Sequence, residues 1–317
     1  MRVLITQTCA LLGIGALTLV GSMPAKAADW TVTGVVQVEE KTSTGNTVFR
    51  PLKGVSVRVS GANVGRAYAI WGTVHTDENG RFTLKEKKNN DDRHIKVQVR
   101  LRDSSNKLDV NRAVLDNPFD NEWSKVYETG DKVDGPSVNV GTRVFRVSAG
   151  GELGGDYARR AAIYYYAKSA MDHLAAKGGG IQFTDPVNFA YPAKVISSSY
   201  ANGATRTAYI KATDADADTV LHELMHLWNY QHNSGTTNWL DAVWGDQSTH
   251  SFQEEPNVAF HEGFAEWAKN ELCAALWGWR KVKPANRKSL NDKKLTSLSV
   301  LERYDKGVMH ALHLLTT

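Results

Sequence analysis

Between positions 30 and 147 apolar and polar residues alternate in short runs broken by turn formers. Residues 30–36, 54–59, 81–84 and 95–101 carry β-branched, aromatic or leucine side chains at roughly every second position, the period of strands half buried on one face. Asp77, Glu78, Asn79 and Gly80 fall between two such runs and predict a tight hairpin turn, because Asn-Gly tolerates positive φ. An all-β sandwich is expected over residues 28–148. Past Gly150, Gly151, Gly154 and Gly155 the period changes. Residues 156–177 lack Pro and Gly, open on Asp156 as an N-cap and stop at Gly178, which predicts a helix. A strand is expected at 207–212, helices at about 215–230 and 257–277, and a helical tail at 301–315. The fold class expected is therefore two-domain, an N-terminal all-β sandwich followed by an α+β, mostly helical domain over 149–317.

Composition narrows the function classes. The 317 residues are 42% hydrophobic and 23% charged, which excludes a disordered chain, and a net charge of +4 spread along the sequence argues against a nucleic-acid partner. Residues 1–27 read as a signal peptide: Arg2, an apolar run, then Ala25-Lys26-Ala27, with cleavage expected before Ala28. Cys9 leaves with that leader, so Cys273 remains without an intrachain partner and is expected as a buried thiol. No later apolar run is long enough to span a bilayer, and an exported protein, secreted or periplasmic, is the expectation.

The chemistry concentrates near position 222. His222-Glu223-Leu224-Met225-His226 is an HExxH, in which two imidazoles four residues apart on a helix converge on one ion while Glu223 stands beside the open position. That geometry suits one Zn2+ per chain. Leu221, Leu224, Met225 and Trp228 form the apolar stripe that would bury the helix, and Asp214, Asp216 and Asp218 complement its positive end. Two residues compete for third ligand. His232 has the spacing of a metzincin's third histidine, although Asn229 stands where that pattern has glycine and no methionine follows before Met309. Glu262 lies in Phe260-His261-Glu262-Gly263-Phe264-Ala265-Glu266-Trp267, where two acids four apart among apolar neighbours call for a cation or donors. Zinc on Glu262, with Glu266 holding the free nitrogen of a ligand histidine, meets both demands. His75 and His94 are isolated and read as solvated or packed.

Two stretches resemble known families. Residues 51–61 and 76–84 are similar to transthyretin-like, carboxypeptidase-regulatory-like sandwiches, which implies a docking role toward a surface or carbohydrate. The segments 222–226 and 261–267, with Tyr304-Asp305-Lys306-Gly307, resemble the gluzincin metallopeptidases of the aminopeptidase N and leukotriene A4 hydrolase type. That resemblance implies a zincin-type domain with His222, His226 and Glu262 as zinc ligands, Glu223 as general base and Tyr304 as the oxyanion-stabilising phenol. No GxMEN segment, the amine anchor of the aminopeptidases, precedes His222, which favours an endopeptidase acting on a peptide or protein substrate. The strand at 207–212 is then the expected edge on which substrate lies, and the loop bearing Trp239, Asp241, Trp244 and Asp246 is a candidate specificity wall. The alternative is an exported binding or adhesion protein with a weak or inactive metallopeptidase-like domain.

Overall fold

The computed structural model describes residues 27–42, 44–62, 66–89, 94–112, 123–129, 133, 135–177, 182–194, 196, 198–232 and 256–279. Residues 1–26 of the expected leader lie outside the described residues, as do the expected helical tail at 301–315 with Tyr304, and Trp239, Asp241, Trp244 and Asp246.

The first sheet is built on β1 (Ala27–Lys41), whose burial alternates strictly from Trp30 to Glu40. One edge of β1 pairs antiparallel with β5 (Arg81–Asn89) and, further along, with β2 (Thr47–Pro51); the other pairs parallel with β9 (Ser137–Phe145). The second sheet runs β4 (Ala69–His75), β3 (Ser56–Ala62), β6 (His94–Arg100), β8 (Ser124–Glu128), all antiparallel. The two sheets share an apolar interior made by Trp30, Val32, Val36, Phe82 and Val138 on one side and Val57, Val59, Trp71, Val97 and Val99 on the other. Trp30 and Trp71 meet there with ring centroids 5.2 Å apart. Gly61 makes that contact possible, since a Cβ at its position would lie 2.1 Å from the Trp71 ring.

The turn at 77–80 differs from the hairpin expected of it. Asp77 Oδ1 accepts from the backbone N–H of Asn79 and Arg81, both at 2.8 Å, and Gly80 takes φ +71°, as the pattern requires. Yet β4 and β5 belong to different sheets, so the turn passes the chain from one sheet to the other.

A third sheet runs β11 (Tyr200–Asn202), β12 (Thr207–Lys211), β10 (Val187–Ala193), β7 (Leu108–Asn111). The β12–β10 and β10–β7 pairs are parallel, so a strand from the first half of the chain closes the sheet of the second. Three α-helices complete the described residues: α1 (Gly155–Lys177), α2 (Ala217–His232) and α3 (Pro256–Trp277). The halves share one continuous core. Tyr164 of α1 donates from its hydroxyl to the Lys53 carbonyl at 2.9 Å, and Trp277 Nε1 donates to the Tyr165 hydroxyl at 3.2 Å. None of these helices is long and apolar enough to cross a membrane.

This architecture corrects the expected fold class. The described residues hold more strand than helix, 42% against 31%, and show no large, mostly helical zincin-type metallopeptidase domain. The physical reason lies between positions 182 and 212. β10 is buried on both faces, so Val187, Phe189, Ala190 and Tyr191 give a near-continuous apolar run without the alternation by which a strand announces itself. Both family resemblances, to the gluzincins and to the transthyretin-like sandwiches, are corrected with it. Their motifs are short and specify local geometry, whereas the parallel β1–β9 pair, the sheet-to-sheet turn and the departure of β7 set a different overall arrangement.

Candidate metal centre

Helix α2 starts where Asp216 Oδ1 accepts from the Thr219 N–H at 2.9 Å, an N-cap at the positive helix end. Asp214 is occupied elsewhere, accepting from the Ser199 hydroxyl at 2.9 Å. Val220, Leu221, Leu224, Met225 and Leu227 are buried, which fixes the helix and with it the rotation of the two histidines. His222 and His226 are themselves buried, at 8% and 5% exposure, with rings edge to face and centroids 4.6 Å apart.

Their Nε2 atoms lie 3.0 Å from each other. Glu262, on the facing helix α3, brings Oε2 to 3.2 Å from His222 Nε2 and Oε1 to 3.3 Å from His226 Nε2. A tetrahedral zinc with bonds of about 2.0–2.1 Å holds its ligand atoms roughly 3.3–3.4 Å apart. The three donors therefore already stand near the edge lengths of such a shell, and among the described residues they form the one group of three or more able to hold a metal. Glu223, next along α2 and 5% exposed, is near enough for its charge to act on His222.

Charge in the cluster is strongly coupled. Burial alone would lower the pKa of His222, but the Glu262 and Glu266 carboxylates beside it outweigh burial and push it up to about 10. Burial would raise Glu262, yet His226 and His222 hold it well below the usual carboxylate range. Glu266 follows the same logic: its contacts with His222 and Lys269 overcome burial and bring it to about 2. Each group is thus driven toward its charged form.

Glu266 Oε1 lies 3.2 Å from His222 Nδ1. The same oxygen accepts from buried Lys269 at 2.6 Å, and Lys269 Nζ lies 3.1 Å from Asp218 Oδ1. Asn229, which stands in the glycine place of the metzincin pattern, contacts His261 through its side-chain amide. Neither Lys269 nor Asn229 was singled out by sequence pattern for these contacts, since only the packing of α2 on α3 creates them.

His232 is not part of the cluster. It is exposed, its Nδ1 lies 2.8 Å from the Trp228 carbonyl, and its ring stacks on Trp228 with centroids 4.0 Å apart. The strand at Thr207–Lys211, expected at a sheet edge, is interior; β11 is the outer strand and packs against α2. Cys273 is buried, as expected. His75 is exposed and His94 partly buried, each at a strand end far in sequence from the cluster.

No protein-family model and no curated protein sequence matches the chain. Similar solved structures include a 9R-lipoxygenase from Cyanothece, at 18% identity and TM-score 0.23 over 47% of this chain and 23% of the lipoxygenase. The major plantain pollen allergen is similar at 15% identity and TM-score 0.23, over 38% of this chain and 96% of the allergen. (S)-allantoin synthase is similar at 14% identity and TM-score 0.23, over 38% of this chain and 43% of the synthase. The chain thus spans less than a quarter of the lipoxygenase, and likenesses of this size carry no activity across.

Proposed function

We propose that the protein is a zinc-dependent hydrolase that cleaves peptide bonds within a polypeptide. The observation that carries this reading is the convergence of His222 Nε2, His226 Nε2 and a Glu262 carboxylate at 3.0–3.3 Å, beside a buried Glu223. A structural zinc normally closes its shell with four protein ligands, often cysteines, and among the described residues three donors meet here without cysteine.

Zinc held by these residues would act as a Lewis acid and bring the pKa of a water toward about 7. The chain supplies the rest. His222 and His226 fix the ion's place on a rigid helix, and Glu262 adds the negative charge that balances it. Glu223 accepts the proton of the attacking water and delivers it to the departing nitrogen. An extended substrate would add along the outer strand β11 by backbone hydrogen bonds, which read chain direction more than sequence. We infer export from the leader-like residues 1–27, which makes extracellular or periplasmic polypeptides the substrate class.

The test is zinc content together with cleavage of an unfolded protein, for wild type, Glu223→Gln and Glu262→Ala. One zinc per chain, activity lost in Glu223→Gln with zinc kept, and zinc lost in Glu262→Ala support the reading. Zinc bound by wild type without cleavage would instead favour an exported binding protein.

A further inference from the structure

Lys269 is out of character with its surroundings. It is 5% exposed, among buried Ala265, Ala268 and Leu272, and is the one buried charge among the described residues of α3. A buried ammonium costs several kcal/mol unless it is paired. Here two carboxylates compensate it, and they come from different helices. Glu266, one turn earlier on α3, accepts at 2.6 Å, and Asp218, in the first turn of α2, lies at 3.1 Å. Asp218 is also one turn before His222, so the lysine ties the two ligand-bearing helices together at the level of the first ligand.

The contact has a chemical consequence at His222. Lysine is donor-only and a carboxylate acceptor-only, so Glu266 Oε1 accepts from Lys269 on one side and faces His222 Nδ1 at 3.2 Å on the other. For that second contact to be attractive Nδ1 must carry the proton. The Nε2 lone pair is then left to point at Glu262 and His226, where a metal needs it.

We propose that Lys269 is a positioning residue of the metal site, holding Glu266 and thereby the tautomer and orientation of His222, with Asp218 as the far end of the clamp. This rests on the zinc reading above. The rival is that Lys269 only ties two helices together, with no effect on the metal.

The experiment uses the full chain, stripped with chelator and reloaded with Zn2+ or Co2+, as wild type, Lys269→Met, Lys269→Arg and Asp218→Asn. Three quantities are read: zinc affinity by competition with a chromogenic chelator, the visible spectrum of the cobalt form, and the urea midpoint without metal. Lys269→Met should lose roughly ten- to a hundredfold in zinc affinity and shift the cobalt bands. Lys269→Arg should recover most of that loss, and Asp218→Asn should show a smaller loss in the same direction. A Lys269→Met protein with wild-type zinc affinity and cobalt spectrum, whatever its urea midpoint, overturns the proposal. Should that variant fail to fold, Asp218→Asn decides, and unchanged affinity and spectrum there overturn it equally. A wild type that takes up neither metal fails before any variant is compared and overturns the zinc reading together with this one.

Discussion

Asn229 and His261 join α2 to α3 beside the ligands, the asparagine amide lying 2.5 Å from the imidazole Nδ1. Burial, with the neighbouring His226, holds His261 below the ordinary imidazole range, and because the contact atom of Asn229 is its donor-only amide nitrogen, the imidazole Nδ1 accepts. Asn229→Leu removes the donor and leaves the acceptor in a largely buried place. The expected loss is about 1–3 kcal/mol, read as a lower urea midpoint of the metal-free protein.

Metal should stabilise the fold measurably, because donors already near tetrahedral spacing bind it in the native state and not when the chain is unfolded. Free zinc at about a thousand times its dissociation constant corresponds to roughly 4 kcal/mol. Thermal unfolding of wild type with zinc and with excess chelator should show that gap, and Glu262→Ala should close it.

His232 offers a contrasting case. Its stack on Trp228 and contact with a backbone carbonyl are exposed and lie off the cluster. His232→Ala should keep one zinc per chain with unchanged affinity and change stability by less than about 1 kcal/mol. Loss of zinc in this variant would return the third-ligand role to His232.

Tyr164 supplies a pH signature. Burial, with Asp103 and Asp172 adding to it, raises its hydroxyl well above the ordinary value of 10.0. Because the folded value lies above the unfolded one, stability is full below pH 10 and falls as pH rises beyond it. Tyr164→Phe should be less stable at pH 7 by about 1 kcal/mol, through the lost bond to the Lys53 carbonyl. It should also lose less on going from pH 9 to pH 11. Urea titrations of both proteins at the two pH values check the sign.

Part of the candidate site was readable in the chain because its spacing is local. His222 and His226 lie four apart, and Glu262 and Glu266 repeat that interval, so helix geometry fixes which side chains share a face, whereas the meeting of the two pairs depends on α2 packing against α3. The strand at 95–101 was readable for the same kind of reason, its valines recurring at every second place. What stayed hidden depends on contacts between distant segments. No period marks Lys269 as the partner of Asp218, nor Leu108–Asn111 as the parallel neighbour of Val187–Ala193. The helical bias of the expected fold arose from reading 182–212 as mostly connection, when burial on both faces had erased the alternation of β10.

The position of β7 governs how the protein can be dismantled. Severing the chain between 148 and 149 separates Leu108–Asn111 from β10, leaving a row of backbone donors and acceptors open to any other strand in solution. A fragment carrying His222, His226 and Glu262 alone should therefore oligomerise or aggregate through that exposed rim. The half that carries the candidate metal site is consequently no transplantable cassette: wherever His222, His226 and Glu262 are carried by gene fusion or truncation, residues 108–111 have to travel with them.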